Sequence, residues 1–556
     1  AAMKETLGVS ASTCSYRDWI GTDVIVFFGS NPANDQPVST KYLHLAKQAG
    51  TKIVLVNPYL EPGMERYWVP SNVGSALFGS HLADVWFPVA QGGDVAFLYG
   101  TLKHLDATGQ TDASFLAAHT SGWDALVQRA RELAWPTLEA AAGVPRASME
   151  AFADLLGRAR TGIFVWSMGI TQHPWGADGV RMILNTALAR GWLGRDHCGL
   201  MPIRGHSSVQ GGAEMGAYAT VFPGGQAITP ANAAALSAAY GFAVPDWPGL
   251  AATEMVEAAH RGELDVFYLV GGNFLRTLPE PDYVAAALRR VPLRVHQDII
   301  VTDQMLLDPA DEVILLPAKT RYEQDDGGTE TSTERRVMFS PEIARSVGEA
   351  RAEWKILRDV ALAAYPERRD TFGCATGAEL RAEIARIVPF YEGVQHLRRT
   401  GDAFQYGGRH LCADGICSTS DGRAHLGTVA LPPIGKRAPG RFHLSTRRGK
   451  QFNTLIYADV DPLNDAPRDA VLMNSDDAAA LHLKQGDRVA LVNDLGRLTA
   501  RVWIAPLAPG NLQAHWPEAN GLIRRGVVDA GGGVPDYNAF VRVEPLARLP
   551  AGSAMS

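Results

Sequence analysis

The chain has few cysteines and no spacing that would pair them. Five cysteines occur among 556 residues, and a sparse, odd-numbered set provides no disulfide framework. Cys412 and Cys417 lie in one Gly-rich segment. Without a second Cys or His pair they would make a poor zinc site, so we expect free thiols. This cysteine usage indicates a reducing compartment and predicts a cytoplasmic protein.

Long apolar runs and an excess of basic residues are also missing. The longest alanine-rich run, Ala231–Val244, is too short and too interrupted to span a bilayer, so we expect no membrane span. With 52 Lys and Arg against 59 Asp and Glu, the formal net charge is −7, which argues against binding nucleic acid or an anionic membrane. The composition is otherwise that of a globular protein, 46% hydrophobic. Its length predicts roughly three or four domains.

Short apolar strands alternate with helical segments through the first half of the chain. Val24–Phe28, Lys52–Val56 and Gly162–Trp166 each lead into a loop of small or polar residues. This pattern predicts an α/β fold with parallel sheets, in which ligands bind at the carboxyl ends of the strands. Gly29 and Asn31 follow the first strand, where free N–H groups would suit a ligand. Ordinary turn chemistry explains these two residues equally well.

Further loops repeat this pattern of a strand followed by glycine. In the Gly-Gly-Asp turn that ends at Asp94, the carboxylate could cap the next helix, and it could also accept from a ribose or guanine. Another apolar strand, Asp265–Val270, runs into a Gly-Gly-Asn turn. These loops lack the glycine spacing of a nicotinamide-binding fingerprint. Together they favour a large phosphorylated ligand that is bound by several loops.

From Arg441 onward the pattern changes to short strands. Residues 487–504 alternate apolar and polar side chains around Asn493–Gly496, which is typical of a hairpin. We therefore expect a barrel-like C-terminal domain. The predicted domains are an α/β domain at residues 1–205, a second α/β domain at 206–365, a loop-rich connecting segment at 366–440 and the β-barrel domain at 441–556.

The most distinctive stretch is Gly199–Gly216, GLMPIRGHSSVQGGAEMG. It follows an amphipathic helix with Val180, Ile183 and Leu184 on one stripe. Dense glycine lets the backbone approach a ligand closely. Arg204 in its midst could bind an anion through a fixed fork of donors. A solvated Arg on a surface loop explains these residues equally well.

The stretch Tyr322–Arg336, YEQDDGGTETSTERR, is polar and rich in acids. Glu323, Asp325 and Asp326 could ligate a hard metal ion, but the Asp-x-Asp spacing of a calcium loop is missing. We therefore expect a solvated loop here and no metal site.

Taken together, the motifs of the chain resemble one enzyme family. They are DVIVFFGSNPANDQP, GGDVAFLYG, MGITQHPWG, PIRGHSSVQGGAEMG, LVGGNFLRTLP, STRRGKQFN, GNLQAHWPEAN and VPDYN, and they cover nearly the whole chain in the family's order. The chain resembles the molybdopterin oxidoreductases of the dimethyl-sulfoxide-reductase superfamily, and within it the formate dehydrogenase and formate-dehydrogenase-like alpha subunits. The resemblance implies an α/β core that holds two molybdopterin guanine dinucleotides, with a C-terminal double-psi β-barrel that caps them.

The resemblance also implies roles for individual residues. One dinucleotide would be held by loops that contain Gly29, Asn31, Asn57 and Asp94. The other would be held by loops that contain Gly272, Asn273, Gln297 and Thr302. Gly169 lies in a further cofactor-binding motif. Barrel loops that close over the pterins would contribute Thr446, Arg447, Gln451, Asn520 and Tyr537.

The resemblance assigns the catalytic residues to the Gly-rich stretch. Arg204 matches the arginine that lies beside the metal in formate dehydrogenases and orients the substrate carboxylate. His206 stands where those enzymes often carry Gln, a pattern of the formate-dehydrogenase-like branch. The implied activity is oxidation of formate, a small anion, to CO2, with two electrons passing as a hydride equivalent to a bis-pterin molybdenum or tungsten centre. The alternatives are a related oxidoreductase that acts on another small oxyanion, and a non-catalytic scaffold subunit of a redox complex.

Some groups of the family are expected outside this sequence. The Cys, selenocysteine or Ser that ligates the metal precedes the segment that matches Ala1–Gly8, and Cys14 comes too late to replace it. A [4Fe-4S] cluster, in members that have one, is bound further upstream. We therefore expect a preceding segment or a separate polypeptide that supplies these groups, and an electron-transfer subunit as a further partner.

Overall fold

The computed structural model describes residues 1–69, 73–206, 208–345, 347–433, 440–449 and 458–546. The chain forms two compact units. The first comprises residues 1–205 together with the described part of the chain from Arg409 onward. The second comprises residues 206–408. The chain therefore leaves the first unit and later returns to it.

A five-stranded parallel sheet forms the centre of the first unit. Its order is Val85–Phe87, Lys52–Val56, Val24–Phe28, Gly162–Trp166 and Gly199–Pro202. Every residue of Val24–Phe28 and Gly162–Trp166 is buried, as expected of a parallel sheet that is covered on both faces. The strand order reverses between these two strands. In an open α/β sheet, such a reversal creates a crevice at the carboxyl ends of the strands.

Helices cover both faces of this sheet. Phe28 belongs to a buried cluster that includes the helices Asp94–Ala107 and Gly176–Ala189. On the opposite face, Phe27 packs edge-on against Trp19, with ring centres 5.6 Å apart. The amphipathic helix expected before residue 199 is Gly176–Ala189, and its expected apolar stripe is buried. The α-helices of the first unit are Ala2–Leu7, Pro32–Asp35, Ser39–Gln48, Pro62–Glu65, Val73–Phe78, Asp94–Ala107, Ala113–His119, Trp123–Glu132, Trp135–Ala142, Arg146–Arg158, Met168–Thr171, Gly176–Ala189 and Ser475–Ala480.

The C-terminal part of the first unit folds into a closed barrel of six strands. Their order around the barrel is Arg441–Arg447, Asn511–His515, Ala470–Met473, Arg497–Ile504, Arg488–Val492 and Asn538–Pro545. Arg488–Val492 and Arg497–Ile504 are antiparallel, and the N–H of Asn493 donates to the carbonyl of Gly496 at 3.1 Å. The expected hairpin and C-terminal barrel are therefore confirmed, as is the α/β fold class with parallel sheets.

The second unit contains a parallel and an antiparallel sheet. In the parallel sheet, Leu293–Asp298 lies between Val266–Val270 and Glu312–Pro317. The α-helices of this unit are Val209–Glu214, Pro230–Tyr240, Ala252–Arg261, Phe274–Thr277, Pro281–Leu288, Glu353–Ala364, Arg369–Phe372 and Gly377–Ile387. Across the described residues of both units, no helix is long and apolar enough to cross a bilayer.

The antiparallel sheet corrects part of one expectation. In place of a solvated loop throughout Tyr322–Arg336, the residues Gly328–Thr331 form a strand that pairs with Arg336–Ser340. Thr329 and Thr331 are β-branched, and cross-strand pairing outweighs the polar composition. A third strand, Ala403–Gln405, completes this sheet.

Two-residue strands form two further ladders, Thr120–Ser121 with Ala424–His425 and Val221–Phe222 with Gln226–Ala227.

All five cysteines are free thiols. Cys14, Cys198, Cys412 and Cys417 are buried. The expectation that Cys412 and Cys417 carry free thiols is confirmed. A cytoplasmic location stays a prediction.

Candidate cofactor-binding cleft

A cleft opens in the first unit where the strand order of the parallel sheet reverses. The strands Val24–Phe28 and Gly162–Trp166 continue directly into its lining segments, 29–31 and 167–169. The barrel contributes the segment 446–448. The cleft has two lobes with empty volumes of about 680 and 510 Å³, solvent at the mouth included. Both lobes are lined by the predicted residues Gly29, Asn57, Gly169, Thr446 and Tyr537.

Two glycines form the floor of the cleft. Gly29 has a φ of +50° and accepts a hydrogen bond from the N–H of Gly169 at 3.1 Å. A Cβ at Gly169 would lie 2.5 Å from the carbonyl oxygen of Gly29. Because neither position has room for a side chain, the floor is main chain, which lets a ligand approach backbone groups closely.

The larger lobe, here called the arginine lobe, contains the guanidinium groups of Arg447 and Arg448. The side chain of Arg447 is only 6% exposed. Its Nη2 lies 3.2 Å from Glu61 Oε2, and its Nη1 donates to Gln513 Oε1 at 3.1 Å. The Arg448 guanidinium lies 4.2 Å from the centre of the Trp516 ring. Both guanidinium groups are therefore held in place before any ligand binds.

Two carboxyl groups share this lobe with the arginines. Glu61 Oε2 also accepts from Asn31 Nδ2 at 2.7 Å. Burial raises the pKa of Glu61 to about 7, against the opposing influence of Arg447. Burial likewise raises the pKa of Asp35 to about 6, although Arg448 and Arg447 act to lower it. Both carboxyl groups therefore change charge near neutral pH.

The second lobe, here called the Asp94 lobe, combines a half-buried acid with neutral polar groups. Burial raises the pKa of Asp94 to about 7. Burial lowers the pKa of His173 to about 4, so its ring is neutral, and its Nδ1 accepts from Asn538 Nδ2 at 3.1 Å. Gln91 Nε2 donates to Asn538 Oδ1. A carboxyl group beside neutral amides suits a ligand with N–H donors, such as a nucleobase.

Several buried polar atoms of the cleft have no hydrogen-bond partner among the described residues. They are Ser30 Oγ, Asn31 Oδ1, Gln91 Oε1, Arg447 Nε and Trp516 Nε1. Buried polar groups are usually paired, and an unpaired one costs free energy. A polar ligand in the cleft would satisfy both donors and acceptors of this set.

The residues predicted for a second dinucleotide lie in the second unit. Gly272 and Asn273 follow the carboxyl end of the strand Val266–Val270. Gln297 lies near the carboxyl end of the parallel strand Leu293–Asp298, and Thr302 follows that strand. The carbonyl of Gly272 accepts from Gln304 Nε2 at 2.7 Å. Asn273 Nδ2 donates to Asp303 Oδ1 at 2.8 Å.

The other two residues of this set differ in their bonding. Gln297 Oε1 accepts from the Tyr268 hydroxyl at 2.8 Å, and its Nε2 donates to the Glu353 carbonyl at 3.3 Å. Thr302 Oγ1 is buried and has no partner within the described residues. The side chain of Gln297 is therefore bonded within the unit, and the ligand-binding roles of Gln297 and Thr302 stay predictions.

Arg204 follows the strand Gly199–Pro202 and is half-buried. Its Nη2 donates to the carbonyl of Ser10 at 3.2 Å, and its own carbonyl accepts from Gln36 Nε2. Arg204 is not among the described residues that line the cleft. His206 is exposed and begins the second unit. The catalytic roles of both residues stay predictions.

One of the predicted barrel residues, Asn520, is not among the described residues that line the cleft. Asn520 is buried within the short helix Glu518–Leu522. Gln451 lies outside the described residues.

The structure adds lining residues that the sequence interpretation did not single out. They are Asp35, Glu61, Gln91, Gln172, His173, Arg448, Trp516 and Asn538. Most lie inside the quoted motifs, such as His173 in MGITQHPWG and Arg448 in STRRGKQFN. Their polar or cationic character within those motifs was the available signal. Glu61 and Gln91 lie outside the motifs, and each bonds to a residue far away in the chain, Arg447 and Asn538 respectively.

Acidic groups elsewhere are already used in ion pairs. Asp325, one of the acids considered for a metal, pairs with Lys319 at 2.5 Å and with Lys355. Asp18, Asp196 and His410 place ligand atoms within 4.8 Å of one another. Arg409 contacts both of these aspartates, at 2.8 and 3.0 Å. This group therefore anchors the chain where it returns to the first unit.

Comparison with known families decides what the chain is related to. Residues 3–363 match the family described as molybdopterin oxidoreductase. The chain belongs to the molybdopterin oxidoreductase family. Residues 442–541 match the molydopterin dinucleotide binding domain. The resemblance to the dimethyl-sulfoxide-reductase superfamily is thus confirmed.

Three relatives of this molybdopterin oxidoreductase differ in how specifically their names describe an activity. An uncharacterized oxidoreductase of Mycobacterium tuberculosis is 29% identical, over 98% of this chain and 73% of its own. Protein YdeP of Escherichia coli K12 is 28% identical, over 97% of this chain and 74% of its own. The F420-dependent formate dehydrogenase 1 subunit alpha of Methanococcus maripaludis is 26% identical, over 90% of this chain and 72% of its own.

A solved structure shares the fold of this molybdopterin oxidoreductase. Acetylene hydratase from Pelobacter acetylenicus superposes with a TM-score of 0.67, over 98% of this chain and 80% of that chain. The two sequences are 15% identical. At this identity the likeness shows the fold alone.

The cleft of this molybdopterin oxidoreductase fits the cofactor that its two matched domains imply, a molybdopterin dinucleotide with molybdenum or tungsten. The glycine floor, the two arginines and the unpartnered polar atoms are each suited to a large phosphorylated ligand. The cofactor assignment therefore agrees with the chemistry of the residues in the first unit.

The glycine floor generates a stability prediction. Replacing Gly169 by Ala should lower the free energy of unfolding of the first unit by about 1–3 kcal/mol, because the new Cβ would strike the Gly29 backbone. Denaturant unfolding followed by circular dichroism measures the change. Gly521→Ala is the matched control, because a Cβ there meets nothing within 4 Å. Equal unfolding free energies for the two variants would contradict this account of the floor.

Proposed function

We propose that this chain is the catalytic subunit of a formate-dehydrogenase-like oxidoreductase with two molybdopterin guanine dinucleotides. The observation that carries the proposal is the division of the cleft into an arginine lobe and an Asp94 lobe over one glycine floor. A guanine dinucleotide has the same division, with an anionic pyrophosphate and a nucleobase that presents N–H donors. The charge pattern of the cleft supports this ligand.

Each lobe would bind one part of the dinucleotide. Arg447 and Arg448 present planar guanidinium groups, which bind phosphate oxygens in a bidentate manner. Backbone groups at Gly29 and Gly169 line the space between the lobes. Asp94 would accept hydrogen bonds from the guanine edge, in the way that acids of dinucleotide folds accept from a ribose.

The second unit supports a second dinucleotide. Gly272 has a φ of +76°, and a Cβ there would meet nothing within 4 Å, so its backbone is open to a ligand. The Thr302 hydroxyl is buried and lacks a partner among the described residues. We therefore propose Gly272, Asn273 and Thr302 as contacts of the second dinucleotide.

Nucleotide analysis tests the cofactor proposal. Acid extraction of the native protein should release about two GMP per chain, one from each dinucleotide whose phosphates these loops hold. Chromatography of the extract against a GMP standard measures the ratio. Protein made in a host with an intact cofactor pathway should be used. The absence of GMP from that protein would favour the scaffold subunit over the enzyme.

Formate is the proposed substrate, and Arg204 is the residue proposed to bind it. The relative from Methanococcus maripaludis, named a formate dehydrogenase, supports this choice. Gln36 holds the backbone carbonyl of Arg204, so the guanidinium extends from a fixed point. A guanidinium fork binds a carboxylate in two places and stabilises its charge during reaction. The bound cofactor supplies the two-electron redox chemistry of molybdenum or tungsten.

His206 is proposed as the group that accepts a proton when formate is oxidised. Oxidation of formate to CO2 releases one proton and two electrons. An imidazole serves as a general base near neutral pH. An electron-transfer subunit and an upstream [4Fe-4S] cluster stay predictions of the family resemblance.

Kinetics of an Arg204 variant test the substrate proposal. Arg204→Lys keeps the charge but removes the bidentate fork, so kcat/KM for formate should fall by the equivalent of roughly 2–4 kcal/mol. The assay uses the metal-loaded enzyme with a redox dye as electron acceptor. Metal and pterin contents should stay at the wild-type level, which separates lost chemistry from lost cofactor.

A surface arginine provides the control for that measurement. Arg146→Lys changes an exposed residue that pairs with Glu150 at 2.6 Å, and its kinetics should equal the wild type. If Arg204→Lys also leaves turnover and substrate affinity unaltered, Arg204 is a structural loop residue. If the loaded wild-type enzyme turns over another small oxyanion but not formate, the related oxidoreductase is the correct alternative.

A further inference from the structure

We propose that Glu61 and Asp35 are charge-balancing groups of the arginine lobe, which neutralise Arg447 and Arg448 in the free protein and take up protons when a pyrophosphate binds. The inference rests on the proposed function, since it assumes that a pyrophosphate occupies this lobe. It adds two ligand-responsive residues to the cleft and predicts that cofactor binding depends on pH.

The bonding of Glu61 leaves it able to carry a proton. The side chain is 8% exposed and sits directly before the short helix Pro62–Glu65. Its two hydrogen bonds, from Asn31 at 2.7 Å and from Arg447 at 3.2 Å, both reach Oε2. A proton on Oε1 would therefore break neither bond. The protonated acid could donate to a phosphate oxygen in the same lobe.

Asp35 is the second acid of the lobe. It ends the short helix Pro32–Asp35 and lines the cleft together with Glu61 and both arginines. Arg448 and Arg447 are the charged groups that act on it. Two carboxylates thus balance two guanidinium groups in the free cleft, and the lobe has little net positive charge to offer an anion.

A bound pyrophosphate would upset this balance. Its negative charges would lie beside the buried carboxylate of Glu61 and the half-buried carboxylate of Asp35, and like charges in a low-dielectric site disfavour ionisation. Protonation of the carboxyl groups removes that repulsion and leaves both arginines to the ligand. The raised pKa values of Glu61, about 7, and Asp35, about 6, mean that this uptake needs little free energy near neutral pH.

Two ionisable groups that interact with Arg447 do not change charge in this pH range. Burial raises the pKa of Tyr59 to about 12 and lowers that of His515 to about 3. Asp461 also acts on Glu61, and its Oδ1 accepts from the N–H of Leu463 at 3.0 Å.

Two further acids titrate in the same range: Asp94, which lines the Asp94 lobe, and Asp536, whose Oδ1 accepts from the lining residue Asn538 at 2.6 Å. Burial raises the pKa of Asp94 to about 7 and that of Asp536 to about 6. The pH dependence of the wild type alone would combine all four acids. Variants at Glu61 and Asp35 are therefore needed to decide the proposal.

Calorimetry with GDP-mannose tests the inference. This probe carries guanine and a pyrophosphate diester, whereas a terminal phosphate would itself titrate near pH 6. The full chain is made in a host that lacks molybdopterin synthesis and titrated from pH 6 to 9 in buffers of different ionisation enthalpy. Wild type should take up about one to two protons near pH 7.5, and its Kd should rise up to about tenfold per pH unit for each proton.

Proton uptake by variants of Glu61 and Asp35 shows which carboxyl groups take up the protons. Glu61→Gln should lose about one of the protons, and Glu61→Gln combined with Asp35→Asn should lose the uptake that the arginine lobe contributes. Glu65→Gln is the matched control, because Glu65 is an exposed acid on the same short helix and should leave uptake unchanged. Circular dichroism checks that each variant folds. If Glu61→Gln does not fold, Asp35→Asn alone should still lower the uptake.

The outcomes separate this inference from the function on which it rests. Binding of GDP-mannose without proton uptake, or with the same uptake in wild type and in folded Glu61→Gln and Asp35→Asn variants, overturns the inference and leaves the cleft assignment intact. No binding at any pH overturns the cleft assignment, and the inference with it. Uptake that falls in the variants and not in Glu65→Gln supports both.

Discussion

The backbone contact between Gly29 and Gly169 is the constraint on which the cleft depends. The two glycines follow the neighbouring strands between which the sheet order reverses, and the N–H of Gly169 donates to Gly29 at 3.1 Å. A side chain at either position would strike the other backbone. Because both turns can close only with glycine, the carboxyl ends of both strands face one space and present main-chain groups to it.

The barrel closes this space and contributes the guanidinium groups of Arg447 and Arg448. Arg447 ends its first strand and is buried against Glu61 of the α/β part, while Trp516 and Tyr537 come from two other segments of the barrel. A buried ion pair seldom adds net stability, because desolvating both charges offsets their attraction. In the proposed function its value is different: it would hold a desolvated guanidinium where the pyrophosphate binds, and it pairs that guanidinium with an acid whose pKa lies near neutral.

The strands that build the cleft were predicted from the spacing of apolar residues along the sequence. The continuous apolar runs of Val24–Phe28 and Gly162–Trp166 can be buried only as strands covered on both faces, and alternation in residues 487–504 specifies a hairpin. The role of Asn57, next to a strand end, was predicted instead from the resemblance to the family. The strand Gly328–Thr331 was missed because its polar residues are held by pairing with a neighbouring strand.

By itself the sequence determined the fold class, the C-terminal barrel and the family, because these depend on local patterns and on motifs in a set order. Only the tertiary structure decided that Glu61 faces Arg447, since the two lie 386 positions apart in the chain and no local pattern relates them. It also decided that the Gln297 side chain bonds within its own unit and that Asn520 is buried without lining the described cleft. Burial, and with it the charge of each acid at neutral pH, depends on which distant segments meet.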